Sequence, residues 1–69
     1  MKLYEVPRNS YIKLLNSEGL PFSDQVYLFS HVDGMYSYCI AVSKVVGVYV
    51  SDDKVVRHFA AWSDVEVVW

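Results

Sequence analysis

Apolar residues in this 69-residue chain recur at every second position or in short continuous runs, and helical spacing is rare. β-Branched and aromatic residues fill these runs, whereas alanine occurs only three times. Both features favour strands over helices. The pattern predicts an all-β protein whose six to seven short antiparallel strands are separated by turns every eight to twelve residues.

Turn residues set the bounds of the predicted strands. The predicted strands are Lys2–Val6, Tyr11–Leu15, Gln25–Val32, Met35–Val42, Val45–Val50, Lys54–Phe59 and Val65–Trp69. Residues 9–16 also fit a helix, because Tyr11, Leu14 and Leu15 share helical spacing, although a strand is favoured. Ser51-Asp52-Asp53 is predicted to be a turn, and Gly47 a bend or bulge. Together these strands predict a single small domain, residues 1–69, folded as a strongly bent barrel of SH3-like or OB-like type.

The strongest local signal is Asp33-Gly34, which predicts a type I′ hairpin turn between two extended runs. With a two-residue loop, Val32 lies opposite Met35. One face of the hairpin then carries Tyr27, Phe29, His31, Tyr36, Tyr38 and Ile40. The other carries Val26, Leu28, Ser30, Val32, Met35, Ser37, Cys39 and Ala41. Neither face is polar; the face of smaller side chains suits the core, and the aromatic face suits an interface or a ligand surface.

The chain carries more apolar surface than a small monomer can bury. Hydrophobic residues make up 54% of it and aromatic residues 16%. A domain of this size hides only about 60% of the surface of its unfolded chain. The surplus predicts a homo-oligomer, with the aromatic hairpin and the terminal Trp69 as candidates for the contact between copies.

Charge and cysteine content restrict the partners and the compartment. The net charge is −2 and the pI about 5.4, which disfavours a nucleic-acid partner. Cys39 is the only cysteine, so the chain forms no internal disulfide and a reducing compartment is expected. The uncharged stretch Met35–Ser43 is too short for a membrane-spanning helix. A cytoplasmic protein without membrane contact is expected.

No residue pattern points to catalysis, and we expect no enzyme activity, cofactor or metal. Cys39 lies within a predicted strand on the core face, where a thiol is inert. The three glycines form no phosphate-binding loop. A zinc site built from His31, Asp33 and His58 is disfavoured against structural or interfacial histidines.

The candidate binding residues are mainly aromatic. Tyr27, Phe29, Tyr36 and Tyr38 can stack on a flat ligand ring, or else form a subunit interface or second hydrophobic layer. His31 extends the same face. Trp62 is predicted to close one end of the barrel, with a stacking surface as the alternative. Arg8 and Arg57 are the side chains best suited to grip a phosphate.

Three blocks of the chain resemble small proteins of tailed bacteriophages. They read MKLYEVPR at residues 1–8, HVDGMYSYC at residues 31–39 and AAW at residues 60–62, and cover about a third of the chain. The resemblance brings no defined activity with it. It implies a protein of the infected bacterial cytoplasm, where small phage proteins commonly modulate or inhibit host machinery and some oligomeric ones sequester nucleotide immune signals.

The resulting hypothesis is a non-enzymatic, homo-oligomeric binding protein of phage type. It modulates or inhibits host machinery by binding a host protein or by sequestering a small nucleotide signal at an oligomer interface. Two alternatives stay open. One is a single-stranded nucleic-acid-binding module of OB type, and the other is a structural component of the virion.

Overall fold

Five antiparallel strands in one sheet make up most of the molecule. The computed structural model describes residues 1–68, and for Lys44 and residues 52–54 it describes the backbone alone. A 3-10 helix at Leu3–Glu5 is followed by β1 (Tyr11–Leu14), β2 (Val26–Asp33), β3 (Tyr36–Val45), β4 (Val48–Arg57) and β5 (Val65–Val67). All four strand pairs are antiparallel, so the predicted all-β antiparallel class is confirmed.

The sheet is open along its hydrogen-bonded ladder. Its strand order is β4-β3-β2-β1-β5, and no ladder joins β4 to β5 within residues 1–68. Closure into a barrel is therefore not confirmed. Five strands replace the predicted six or seven, because Lys2–Val6 contains a 3-10 turn and the two strands predicted around Asp52 form one continuous strand.

The N-terminal segment covers one end of the core, which corrects the predicted strand Lys2–Val6. The Leu3 N–H donates to the Ser63 carbonyl at 2.9 Å, and the Tyr4 N–H donates to the Ala61 carbonyl at 2.9 Å. These bonds fix the Leu3 side chain inside the core, where it is fully buried. Trp62, which was predicted to close one end of the barrel, is 53% exposed and does not fill the core.

β1 is a strand, as favoured, and the helical alternative for residues 9–16 is excluded. It pairs with β2 on one side and with β5 on the other. Ile12 points from β1 into the core and is fully buried. The turn before β1 contains Asn9 at φ 67°, a left-handed conformation that asparagine tolerates. Trp69, the end of the last predicted strand, lies outside the described residues.

The β2–β3 hairpin forms where Asp33-Gly34 predicts it, but with a different turn. Asp33 pairs with Tyr36, so the two central residues are Gly34 and Met35. Gly34 has φ 66°, and Met35 is not among the residues with positive φ. This sign pattern belongs to a type II′ turn, which requires glycine at the first central position. The predicted type I′ turn is therefore wrong in type, and its central residues lie one position later in the chain than predicted.

A β-bulge at Ser30 changes which face of the sheet the side chains of β2 point to, so that the residues before and after it follow opposite alternation. Toward the turn His31 pairs with Tyr38, whereas beyond the bulge Phe29 pairs with Cys39. A one-residue offset in pairing exchanges the two faces of a strand. The prediction that Phe29 and His31 share a face is therefore wrong. Phe29 and Tyr27 lie on the face that carries Cys39, which we call the core face, and His31 and Tyr38 lie on the opposite, outer face.

The second hairpin turns at Val46-Gly47, where only a bend had been predicted. β3 and β4 pair from Val45 opposite Val48 to Val42 opposite Ser51, and again where Ile40 lies opposite Val56, with a shift in pairing between the two stretches. The turn residues have φ 49° for Val46 and 78° for Gly47, both in the left-handed region. The predicted turn at Ser51-Asp52-Asp53 is wrong, because this segment lies within β4.

Replacing Val46 by asparagine is expected to stabilise the protein. A β-branched residue is strained at positive φ, and Val46 gains little from burial because it is 97% exposed. The Asn-Gly pair suits this turn, so the free energy of unfolding should rise by about 1 kcal/mol and Tm by about 5 °C. Thermal unfolding measures the change. The neighbouring Val45→Asn is the control, and an equal gain there would contradict the argument.

The sheet is strongly curled. The rings of Tyr11 on β1 and Tyr49 on β4 stack with centroids 4.6 Å apart, although β2 and β3 lie between these strands. In a flat sheet three strand spacings would separate them by about 14 Å. At this end of the molecule the sheet therefore curls toward the face that carries the two tyrosines. Val26 and Val42 lie on the same face and are buried.

The main core lies on the core face, between the sheet and the N-terminal segment. Its buried members are Leu3, Val6, Ile12, Phe29, Cys39 and Val65, with Leu14, Tyr27, Val32 and Phe59 packed against them. Within residues 1–68 there is no helix with the length and apolar character needed to cross a membrane.

Candidate aromatic binding site

Strand pairing assembles two rows of side chains on the outer face near the β2–β3 turn. The first row runs from Asp33 through Tyr36 to Ala60, which bridges to Tyr36. The second runs from His31 through Tyr38 to His58, which follows the end of β4. Neighbours across antiparallel strands have Cβ atoms about 5 Å apart. Side chains from three separate segments of the chain therefore meet here, and we call this set the aromatic site.

Tyr38 is held between two imidazole rings. His31 stacks on it with a centroid distance of 4.6 Å and an interplanar angle of 15°. His58 meets it edge to face at 4.6 Å and 89°. Both arrangements are favourable for aromatic pairs. The phenol ring of Tyr38 is thereby fixed before any ligand arrives.

The orientation of His58 is set by the backbone of β3. Its Nδ1 lies 3.2 Å from the carbonyl oxygen of Ser37. A carbonyl only accepts hydrogen bonds, so Nδ1 carries the proton and Nε2 of the neutral ring is an acceptor. The Ser37 hydroxyl, on the core face, donates to the Phe59 carbonyl at 3.0 Å and accepts from the Phe59 N–H at 3.2 Å. Ser37 thus anchors the segment that carries His58.

A cleft of about 360 Å³ opens over the aromatic site. Its walls are Asp33, Tyr36, Tyr38 and His58. Tyr36 is 56% exposed. The cleft lies at the lower end of the size range of about 300–1,000 Å³ for small-molecule sites. It is large enough for one small planar group.

Exposed apolar side chains continue from the aromatic site around the corner at Ala60–Ala61. The Ala61 N–H donates to the Met35 carbonyl at 2.8 Å, and the Ala61 carbonyl accepts from the Tyr4 N–H. Tyr4, Met35, Tyr36 and Trp62 are all more than half exposed. We call these four residues the corner patch. Adjacent exposed apolar residues of this kind mark interaction surfaces.

Three of the predicted site residues come together, and two do not join them. His31, Tyr36 and Tyr38 share the outer face as predicted. Phe29 is buried in the core with 3% exposure, and Tyr27 packs edge to face on Phe59 with centroids 5.1 Å apart. Tyr27 and Phe29 are therefore structural residues, because the bulge at Ser30 turns them to the core face.

The remaining predicted residues lie elsewhere. Trp62 belongs to the corner patch. Arg57 pairs with Cys39, so it projects from the core side of the sheet, opposite to His58. Arg8 lies in the turn before β1 and does not line the cleft. The structure thus brings neither arginine into the aromatic site, and the expected grip on a phosphate is missing from it.

Sequence reasoning grouped Asp33 and His58 with His31 only as a disfavoured zinc site, and did not place them in the aromatic site. Asp33 was assigned to the turn, and the true turn is shifted by one residue, which places Asp33 at the end of β2. The strand partner of His58 could not be assigned, because it depends on the Val46-Gly47 turn, which was not recognised. In HVDGMY, Asp33 and Tyr36 are separated by two residues, and this spacing across a two-residue turn was the signal that could have been used for Asp33.

A second concavity lies at the curled end of the outer face. It has a volume of about 540 Å³ and is lined by Lys13, Asp24, Gln25, Val26, Val42, Ser43 and Tyr49. The Gln25 amide donates to the carbonyls of Val26 and Val42, both at 2.9 Å. Gln25 therefore serves as a bridge between β2 and β3, and Lys13 is the basic side chain among the lining residues.

Cys39 is separated from both histidines by the sheet. It lies on the core face, fully buried, and burial raises the pKa of its thiol while the hydrogen bond with Ser37 opposes this shift. Among residues 1–68 with described side chains, no three His, Cys, Asp or Glu residues gather closely enough to hold a metal ion. The chemistry offered by the aromatic site is therefore that of rings, one carboxylate and imidazole nitrogens.

Comparison with protein-family models, with curated proteins and with solved structures finds no match for this chain. The resemblance to phage proteins thus stays a prediction.

Proposed function

We propose that this protein is a non-enzymatic binding protein whose aromatic site and corner patch engage a partner protein. The observation that supports this function best is the run of exposed rings from Tyr36 to Trp62 beside a rigid cleft. Tyrosine and tryptophan are the residues that most often carry the binding energy of protein interfaces. If the phage resemblance holds, the partner is a component of the host machinery, which binding modulates or inhibits.

Homo-oligomer formation belongs to the same proposal. Apolar side chains are also exposed along the edge strand β4, at Val48, Val50 and Val56. An unpaired edge with apolar side chains favours pairing with another strand. Light scattering across a concentration series tests this part separately, because a monomer at all concentrations removes the oligomer and leaves the partner-binding function intact.

The nucleotide alternative has its best support at the curled end of the sheet. There Lys13 can meet a phosphate and Tyr49 can offer a ring, within a cleft of about 540 Å³. A thermal-shift assay with cyclic dinucleotides and cyclic ADP-ribose isomers decides between the two functions. Stabilisation that Lys13→Gln abolishes and Tyr36→Ala does not would favour nucleotide sequestration at that cleft.

The OB-like nucleic-acid module and the small-barrel architecture stay as lesser proposals. Salt-dependent binding of single-stranded DNA is the test of the nucleic-acid module.

Replacing Tyr36 by alanine is expected to remove partner binding without unfolding the protein. Tyr36 is exposed, so its truncation should change stability by less than about 0.5 kcal/mol. As a central aromatic anchor it should contribute at least about 2 kcal/mol of binding, or roughly thirtyfold in affinity. Immobilised wild-type protein and variants are incubated with bacterial lysate, and retained proteins are quantified by mass spectrometry.

Leu20→Ala is the matched control for this capture experiment. Leu20 is equally exposed but lines a different cleft, together with Met1 and Val65. A specific partner should be retained by wild type and by Leu20→Ala, and lost with Tyr36→Ala or Trp62→Ala. Equal retention by all four proteins would contradict the proposed function, as would the absence of any retained protein.

A further inference from the structure

We propose that the cleft of the aromatic site binds a cationic side chain, specifically the guanidinium group of an arginine presented by the partner. This inference rests on the proposed function, because it assigns the group that the partner inserts. It follows from the charge, the hydrogen-bonding capacity, the size and the rigidity of the cleft.

The cleft contains a negative charge without a counter-ion. Among the described side chains the one ion pair joins Lys2 to Asp64, at 2.9 Å. Asp33 therefore meets no lysine or arginine within that part of the molecule, and no lysine or arginine lines the cleft. Asp33 is exposed, so its carboxylate is accessible to a cation that enters the cleft.

The other polar atoms of the cleft are suited to receiving hydrogen bonds. His58 uses its Nδ1–H on the Ser37 carbonyl, which leaves Nε2 as an acceptor in the neutral ring. Asp33 only accepts when ionised, and the phenol groups of Tyr36 and Tyr38 can accept as well. A guanidinium has five N–H donors and no acceptor, so it matches such a site, whereas a phosphate does not.

The rings provide the third element of recognition. A cation over the face of a tyrosine is attracted by the quadrupole of the ring, and arginine is used in this way more often than lysine. The planar guanidinium also stacks on aromatic faces while its edge meets a carboxylate. Tyr36 and Asp33 are opposite each other across the hairpin, so one guanidinium can contact both.

The cleft has room for a guanidinium group, and part of its wall is already ordered. Its volume is about 360 Å³. Tyr38 is already fixed between His31 and His58, so the site loses little conformational freedom on binding. A nucleotide stacked on Tyr36 would bring its phosphates near the Asp33 carboxylate, which repels them.

The test is a titration followed by two-dimensional NMR of the folded protein. The probes are N-acetyl-arginine methylamide and its uncharged isostere N-acetyl-citrulline methylamide, with inorganic phosphate as a third. The arginine compound should shift the resonances of Tyr36, Tyr38 and His58, and it should bind at least about tenfold more tightly than the citrulline compound.

Asp33→Asn is expected to weaken binding of the arginine compound about tenfold, and the matched Asp24→Asn, at another cleft, should leave it unchanged. Equal binding of the arginine and citrulline compounds, preferential binding of phosphate, or no shift in the aromatic site would each overturn the inference. The two proposals fail separately. If a partner is retained only when Tyr36 is present, but the arginine compound gives no response, this inference is overturned and the proposed function stands.

Discussion

Phe29→Ala is expected to leave a large fraction of the molecules unfolded at 37 °C. Phe29 is almost fully buried and contacts the central core cluster. Truncating a buried phenylalanine costs about 3–5 kcal/mol, because it removes apolar contacts and leaves a cavity. A domain of this length has a total stability of only about 3–10 kcal/mol, so the loss is a large part of the whole. Urea unfolding followed by tryptophan fluorescence measures it.

Two variants control for this result. Phe29→Leu keeps most of the buried volume and should cost clearly less than Phe29→Ala. Tyr36→Ala removes a ring of similar size from the outer face and should leave the unfolding midpoint nearly unchanged. The comparison tests the bulge at Ser30 directly, since without it Phe29 and Tyr36 would lie on the same face. Similar midpoints for Phe29→Ala and Tyr36→Ala would contradict the observed pairing.

Ser37→Ala is expected to destabilise the protein by about 2 kcal/mol, far more than a serine truncation on the surface. The Ser37 hydroxyl is fully buried and bonds both the N–H and the carbonyl of Phe59. Without the hydroxyl, the Phe59 N–H loses its hydrogen-bond acceptor. Because Ser37 is fully buried, we expect no water molecule to replace that acceptor. Urea unfolding gives the loss of stability, and hydrogen exchange should show a less protected Phe59 amide.

Ser43→Ala on the same strand is the control, because Ser43 is exposed. Its effect should stay within about 0.5 kcal/mol. If Ser37→Ala were equally mild, or if the Phe59 amide kept its protection, the hydroxyl would not be the group that fixes the end of β4.

The class of the fold and the position of its main hairpin could be predicted from the sequence, because both depend on local preferences. Asp33-Gly34 locates a turn whichever of the two turn types forms. The observed turn changes the pairing of His31 from Tyr36 to Tyr38, an offset of two residues, and an even offset keeps each side chain on its face. This is why His31, Tyr36 and Tyr38 were correctly grouped.

The bulge at Ser30 could not be predicted, because no glycine or proline marks it. It forms because the core gains the large side chain of Phe29, and such a gain depends on residues as distant in the chain as Leu3 and Val65. The apolar character of both hairpin faces was the available indication that the pairing changes along the strand.

The Val46-Gly47 turn was missed for a different reason. Valine strongly disfavours the left-handed conformation that this position requires, so local rules point away from a turn there. Asp52-Asp53 offered a better local match and drew the prediction toward it. Pairing of ten-residue strands on both sides of Val46-Gly47 outweighs the local strain of one residue.

The division of β2 at Ser30 has an evolutionary consequence. Phe29, on one side of the bulge, serves the core, and His31 and Asp33, on the other, serve the aromatic site. Under the proposed function, substitutions at Asp33 or Tyr36 change what is recognised while the core stays intact. On that proposal, a lineage that meets a changing partner varies its specificity at these positions and keeps the fold it inherited.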